Sequence, residues 1–153
     1  MSVDLPDAEA TESLGARLAG LMASAPGAWL ITLGGSLGAG KTTLARGFLK
    51  AIGHEGRVPS PTYTLLEPYE IGGRRVLHAD LYRLAHPEEL EYLGFHDAFT
   101  DDVVALIEWP ERAGQTLRDP DLTVSLEIMS AGRKATIAAG SRRGRELLGS
   151  LAG

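Results

Sequence analysis

The fold of this chain is decided by the stretch GGSLGAGKTTLARGF, residues 34–48. Residues 35–42 satisfy the pattern G-x-x-x-x-G-K-[ST], in which a glycine-rich loop turns its backbone N–H groups inward around phosphate. That pattern has meaning only between a strand and a helix. An apolar run at residues 29–33 precedes the loop, and a helical pattern at residues 42–52, ended by Gly53, follows it. The sequence therefore predicts a phosphate-binding loop of a nucleotide site.

Two side chains of the loop have predicted roles. The Lys41 ammonium is expected to reach the β- and γ-phosphates of the nucleotide, where it also serves catalysis. The Thr42 hydroxyl is expected to bind Mg²⁺, and the N-terminus of the following helix adds positive potential. We therefore predict a nucleotide and Mg²⁺ as the cofactors.

A magnesium nucleotide site also needs carboxylates, usually at the C-terminal ends of neighbouring strands. The apolar strand predicted at residues 103–107 is followed by Glu108, which we assign to the metal, directly or through water. A second predicted strand ends at Asp80, which we assign to orienting water or the hydration shell of the metal. Both acids are therefore candidate catalytic residues.

The segment RVPSPTYT, residues 57–64, joins the loop region to these acids. Its prolines fix backbone angles, so we expect a stiff extended connector. The hydroxyls of Ser60 and Thr62 are candidate switch groups that sense the γ-phosphate or Mg²⁺. A rigid loop with incidental hydroxyls is the alternative interpretation.

The remaining pattern predicts an α/β fold with helices flanking a mixed, mostly parallel central sheet that carries antiparallel hairpins. Thr11 or Ser13 is expected to cap a first helix that runs to about Met22. The other predicted elements are a hairpin (63–71 and 74–79), a short helix from Pro87, a second hairpin (122–128 and 134–138) and a closing helix (141–151).

Composition limits the class of protein. The 153 residues, 44% of them hydrophobic, fit one P-loop domain spanning residues 1–153. A net charge of −5 argues against a broad basic face for nucleic acid, so any contribution to RNA chemistry is expected to be indirect. No cysteine is present, no signal-peptide pattern opens the chain, and no apolar run approaches the ~20 residues of a membrane span. We expect a cytoplasmic protein without membrane contact.

The identity of the nucleotide follows from a missing signature. The guanine-reading N-K-x-D or T-K-x-D pattern is absent, which favours ATP over GTP.

The four histidines show no metal-ligand spacing and are interpreted as structural. Trp109 is interpreted as a packing residue whose position beside Glu108 makes it a natural fluorescent reporter of the site.

Five ordered motifs together resemble the bacterial TsaE family, the small ATPases of tRNA threonylcarbamoyladenosine synthesis. They are GSLGAGKTT (35–43), SPTYTLLEPY (60–69), HADLYRL (78–84), LGFHDAF (93–99) and IEWPER (107–112). The resemblance implies that Mg²⁺ lies on Thr42 and Glu108, and it implies further nucleotide contacts. Those contacts are Gly35, Gly38, Ala39, Gly40, Lys41, Thr42 and Thr43 in the loop, and Thr11, Asp80, Glu111 and Arg133 elsewhere. Ser36 departs from the family, which commonly has an acid there.

The same resemblance implies partners. Proteins of this family support a complex, TsaB and TsaD, that transfers a threonylcarbamoyl group to adenosine 37 of tRNA, so tRNA is an indirect partner. ATP hydrolysis is expected to be weak alone and stimulated by that complex. Two alternatives remain: a small-molecule P-loop kinase, and a nucleotide-dependent binding module with negligible hydrolysis. Arg83, Arg112 and Arg118 are scattered and form no arginine-rich lid, which disfavours the kinase.

Overall fold

The computed structural model describes residues 1–58, 65–71 and 73–152. The strands are β1 (Ser2–Leu5), β2 (Trp29–Gly34), β3 (Leu66–Ile71), β4 (Arg74–Asp80), β5 (Val103–Glu108), β6 (Leu122–Ile128) and β7 (Arg133–Ala139). The helices are α1 (Ala8–Met22), α2 (Lys41–Ala51), α3 (Glu89–Tyr92), α4 (Phe95–Ala98) and α5 (Arg142–Ala152), with a 3-10 helix at Pro110–Ala113.

The strands form one seven-stranded sheet in the order β1-β7-β6-β2-β5-β4-β3. The central neighbours β6, β2, β5 and β4 run parallel, whereas β1, β7 and β3 pair antiparallel at the two sides. The predicted α/β fold, with a mixed sheet that is parallel at its centre and carries antiparallel hairpins, is confirmed. Parallel strands bring their C-terminal ends to one edge, so the ends of β2, β4 and β5 lie side by side there.

Both faces of β2 and β5 are buried, as their continuous apolar sequences predict. One face packs beneath α1, α2 and α5, with Leu44, Phe48 and Leu106 among its buried residues. The other face packs against the segment that contains α3 and α4, with Leu90 and Phe95 among its buried residues. The side chains of β4 and β5 that point towards α2 can therefore reach the phosphate-binding loop at the sheet edge.

Helices α1 and α2 touch at two glycines. A Cβ atom at Gly15 would lie 2.1 Å from the carbonyl oxygen of Leu44, and one at Gly47 would lie 2.1 Å from the carbonyl oxygen of Glu12. Side chains at either position would push the helices apart. The close approach holds α1 against the helix that follows the phosphate-binding loop.

Two local predictions are corrected by the structure. Helix α1 begins at Ala8 and is capped by Asp7, whose Oδ1 accepts a hydrogen bond from the Ala10 N–H at 2.8 Å, so neither Thr11 nor Ser13 is the cap. The reason is that the Asp7 carboxylate, one turn earlier, accepts from the Ala10 N–H, one of the unpaired donors at the start of the helix. Strand β1 was not predicted. This strand is only four residues long and pairs with β7 at the edge of the sheet. Its own sequence contains no pattern that predicts this pairing.

Asp121, just before β6, ties three parts of the chain together. Its carboxylate accepts hydrogen bonds from the Leu30 N–H at 2.9 Å, the Ser141 hydroxyl at 2.8 Å and the Arg118 guanidinium at 3.0 Å. Burial alone would raise the pKa of Asp121, but these hydrogen bonds outweigh it and hold the pKa below its usual value.

Within the described residues, no helix is both long and apolar enough to cross a membrane.

Candidate nucleotide-binding site

The loop between β2 and α2 depends on glycines. Gly35, Gly38 and Gly40 have φ angles of 141°, 79° and 110°, values that other residues rarely adopt. A Cβ atom at Gly35 would also lie 2.5 Å from the carbonyl oxygen of Leu126 on the neighbouring strand. The chain can therefore turn from β2 into the first turn of α2 along a tight path that leaves the helix N-terminus facing the sheet edge.

Lys41 is the first residue of α2, and it is 5% exposed. Its Nζ donates hydrogen bonds to the carbonyl oxygens of Gly35 and, at 3.1 Å, Ser36, and it lies 4.0 Å from the centre of the Trp109 ring. Burial lowers the pKa of the Lys41 ammonium, and the negative charges of Glu108, Asp80 and Glu111 oppose that shift. The ammonium group is thus held inside the loop and surrounded by acids.

Thr42 connects the loop to the end of β5. Its hydroxyl lies 3.0 Å from Oε2 and 3.2 Å from Oε1 of Glu108, close enough to donate to that carboxylate. Glu108 is 2% exposed, and its Oε2 also lies 2.6 Å from Nε2 of His78 on β4. The structure therefore brings together the hydroxyl and the carboxylate that the sequence assigned to Mg²⁺.

Asp80 lies beside Glu108. The two acids are paired in the register of the parallel strands β4 and β5, and Asp80 is 5% exposed. Its Oδ1 accepts a hydrogen bond from the Tyr82 N–H at 3.0 Å, which orients the carboxylate at the strand end. Two buried acids thus face the loop from adjacent strands.

A cleft of about 570 Å³ opens over these groups. It is lined by the loop and by the ends of β4 and β5, through Leu37, Gly38, Ala39, Gly40, Lys41, Thr42, Thr43, Asp80, Tyr82, Arg83, Glu108 and Trp109. Phosphate oxygens and a hydrated cation are the groups that such a lining can bind, because it combines an ammonium and a helix N-terminus with two carboxylates.

A second cavity of about 270 Å³ lies on the other side of the loop. It is lined by Thr11 of α1 and Arg133 of β7, together with loop residues that also line the first cleft (Gly38, Ala39, Gly40 and Thr43). The Arg133 guanidinium donates a hydrogen bond to the Gly38 carbonyl at 3.1 Å. Two of the three residues that only the family resemblance suggested, Thr11 and Arg133, are thus placed next to the phosphate-binding loop.

The other candidate residues have different positions. Glu111 is exposed on the 3-10 helix after β5, where its charge acts on Lys41 but its side chain lines neither of the two cavities within the described residues. Ser60 and Thr62, the candidate switch residues, lie outside the described residues.

Two features of the site were missed at the sequence level. His78, interpreted as structural, contacts the Glu108 carboxylate. Trp109 packs against Tyr82 with ring centres 5.0 Å apart, as a packing residue should, but it also lies beneath the Lys41 ammonium and has a positive φ of 57°. The alternation HADLYR was a usable signal for His78, because residues 78 and 80 point to the same face of a strand.

A glycine-rich loop between a strand and a helix, facing an acid at the end of an adjacent parallel strand, defines a P-loop nucleotide-binding protein. Residues 5–136 match the family described as threonylcarbamoyl adenosine biosynthesis protein TsaE. The chain belongs to the TsaE family, whose members are P-loop ATPases of tRNA threonylcarbamoyladenosine biosynthesis.

Individual relatives agree with that assignment. The tRNA threonylcarbamoyladenosine biosynthesis protein TsaE of Haemophilus influenzae is 46% identical over 78% of this chain and 75% of its own length. The protein of the same name from Rickettsia felis is 38% identical over 69% of this chain and 61% of its own length. The crystal structure of YdiB from Bacillus subtilis superposes with a TM-score of 0.80 at 25% identity, covering 99% of this chain and 93% of that one.

Proposed function

We propose that this chain binds and hydrolyses ATP with Mg²⁺ in support of threonylcarbamoyl transfer to adenosine 37 of tRNA. The observation that carries the ATPase part is the contact between the Thr42 hydroxyl and the Glu108 carboxylate at the base of the cleft. It joins the phosphate-binding loop to a strand-end acid, the pair that a magnesium nucleotide needs. The tRNA part is supported by membership of the TsaE family.

The side chains in the cleft fit Mg²⁺. Thr42, Asp80 and Glu108 offer only oxygen atoms, which a hard cation prefers. Mg²⁺ is usually held by one or two protein groups together with water and substrate phosphates, so these few oxygen atoms would be enough. When bound, the ion would neutralise charge on the phosphate oxygens.

Different groups of the chain would bind the phosphates and align the attacking water. The Lys41 ammonium would exchange the Gly35 and Ser36 carbonyls for the β- and γ-phosphates, and the N–H groups of the loop would hold the same phosphates through their dipoles. Asp80, oriented by the Tyr82 N–H, would align the attacking water. Electrostatic stabilisation and positioning supply most of the catalysis in phosphoryl transfer.

The second cavity supports an orientation for the nucleotide. With phosphates on residues 38–43, the nucleoside would extend past Gly38 into the space lined by Thr11 and Arg133. Glu111 would act at a distance, through its charge on Lys41. The two cavities would therefore hold the two ends of one ATP molecule on either side of the loop.

The complex formed by TsaB and TsaD is the proposed partner, and tRNA is reached through it. Weak hydrolysis alone and stimulation by the partner are expected, because a group supplied in trans raises phosphoryl-transfer rates by roughly 10³ to 10⁵ in related P-loop systems. The cytoplasm is the proposed compartment, because tRNA is modified there.

The test is phosphate release from ATP, measured for the protein alone and with the TsaB–TsaD complex. We expect slow release alone and a marked increase with the complex. Transfer of phosphate to a small acceptor would identify a kinase. Tight ATP binding without release under either condition would identify a binding module, and either result would overturn the proposal.

A further inference from the structure

His78 is the buried polar residue of the site to which no role has been assigned. It lies in the middle of β4 and is 0% exposed. Its Nε2 is 2.6 Å from Oε2 of Glu108, a short distance for a nitrogen–oxygen hydrogen bond. The ring therefore contacts the carboxylate at the base of the cleft from the side of the protein interior.

The other ring nitrogen shows which way this hydrogen bond runs. Nδ1 of His78 is buried and has no hydrogen-bond partner among the described residues. A protonated Nδ1 would leave a donor unpaired in the core, which is costly, whereas an unprotonated Nδ1 leaves only a lone pair. We assign the proton to Nε2, so His78 donates to Glu108.

The carboxylate of Glu108 is thereby held from two directions. The Thr42 hydroxyl approaches from α2, and the His78 N–H approaches Oε2 from β4. The Thr42 hydroxyl lies 3.0 Å from Oε2 and 3.2 Å from Oε1, and the His78 ring contacts Oε2. The two contacts together restrict the rotation of the carboxylate.

Packing alone does not account for a histidine at this position. On the same face of the sheet, its partner Leu106 on β5 and Val76, two residues earlier on β4, are apolar and buried, and a leucine would fill such a place without a polar atom. Burying an imidazole with one nitrogen unpaired costs free energy that the bond to Glu108 must offset. The histidine is thus explained by what it does to the carboxylate.

We infer that His78 is a positioning residue that orients Glu108 for the Mg²⁺ of the bound nucleotide. The inference rests on the proposed function, since it concerns the metal side of the same site. Hydrogen-bond partners of metal-binding groups typically change metal affinity by roughly 10- to 100-fold when they are removed.

Two variants separate this role from packing. His78→Leu fills the space but removes the donor, whereas His78→Gln keeps an amide N–H at the position of Nε2. The dissociation constant of ADP is measured by calorimetry with Mg²⁺ and again with a chelator, for wild type and both variants. Chemical denaturation of each variant reports whether the fold is kept.

We expect wild type to bind ADP more tightly with Mg²⁺ than without it. In His78→Leu, the affinity for ADP in the presence of Mg²⁺ should fall by roughly 10-fold or more, whereas the affinity in chelator should not change. His78→Gln should recover part of the lost affinity. A folded His78→Leu protein with the full gain would overturn the positioning role. If both variants lose the same affinity for ADP, with and without Mg²⁺, then His78 contributes only packing. No gain in wild type would instead overturn the proposed magnesium site itself.

Discussion

Lys41 carries the positive charge of the site on a side chain that is almost fully buried. The loop carbonyls of Gly35 and Ser36 and the face of Trp109 surround its ammonium group. All of these are weaker partners for a cation than a phosphate oxygen is. The ammonium is therefore already at the loop and has only a short distance to move.

Replacing Lys41 by alanine should abolish productive ATP binding. The N–H groups of the loop supply only dipoles, and the lost ammonium is the full charge that meets the β- and γ-phosphates. Titration of ATP against the folded variant measures the effect. Lys50→Ala is the matched control, because Lys50 is exposed at the far end of the same helix, 3.6 Å from Glu12. Unchanged affinity in a folded Lys41→Ala protein would contradict the assignment of the loop.

Glu108→Ala and Asp80→Ala should have different effects. Loss of Glu108 removes the partner of Thr42 and should weaken nucleotide binding only when Mg²⁺ is present. Loss of Asp80 should mainly slow hydrolysis, because its carboxylate is assigned to the attacking water. Titrations with and without Mg²⁺, combined with single-turnover hydrolysis, distinguish the two. Identical defects would show that the roles are divided wrongly.

Individual residues of the site were predictable to the extent that a local pattern defines them. Lys41 and Thr42 follow from the loop pattern, and Asp80 and Glu108 follow from the ends of apolar runs. The contact of His78 with Glu108 could not be derived in the same way, because it depends on the register of β4 against β5. Register is a property of paired strands and is set by packing across the sheet.

Among the secondary-structure elements, α1 and α2 cross so closely that one added carbon atom would separate them. Gly15 of α1 and Gly47 of α2 let backbone meet backbone, and α2 is the helix that begins in the phosphate-binding loop. A side chain at either glycine must displace a helix, since the obstructing atoms belong to the main chain.

Gly15→Ala and Gly47→Ala should each destabilise the fold by about 1–3 kcal/mol or more, the usual effect of overfilling a packed interior. Gly20→Ala, on the exposed side of α1 with no atom within 4 Å of its added Cβ, is the control. It should be neutral or stabilising by about 0.5–1 kcal/mol, because alanine favours the helix. Urea denaturation measures all three, and equal stability of the Gly15 and Gly20 variants would contradict the packing described.

Most elements were predictable because their apolar residues repeat with a clear period. Strand β6 was predicted with its observed bounds, and α2, β5 and α5 within one residue at each end. Strand β1 and the cap of α1 were not, because a four-residue edge strand has too few residues to show a period. Their positions depend on pairing with β7 and on the hydrogen bond that Asp7 accepts.

In the whole molecule, the candidate functional groups lie together at the C-terminal ends of the parallel strands. The loop after β2, Asp80 at the end of β4 and Glu108 at the end of β5 come together there because those strands are parallel neighbours. The cavity on the far side of the loop adds Thr11 and Arg133. The proposed nucleotide site occupies this end of the sheet, and the proposed role therefore assigns the transfer itself to a partner.

If the proposed function holds, ATP hydrolysis at this site supports tRNA modification by the partner complex. The most direct test follows phosphate release and threonylcarbamoyladenosine formation together in one mixture of TsaB, TsaD, tRNA and the remaining substrates. The mixture is prepared with wild type, with Lys41→Ala, or with neither protein. We predict that, of the three mixtures, only the one with the wild-type protein shows both faster phosphate release and sustained modification of tRNA. Equal modification in all three mixtures, with phosphate release unaffected by the complex, would show that this protein does not have the proposed function.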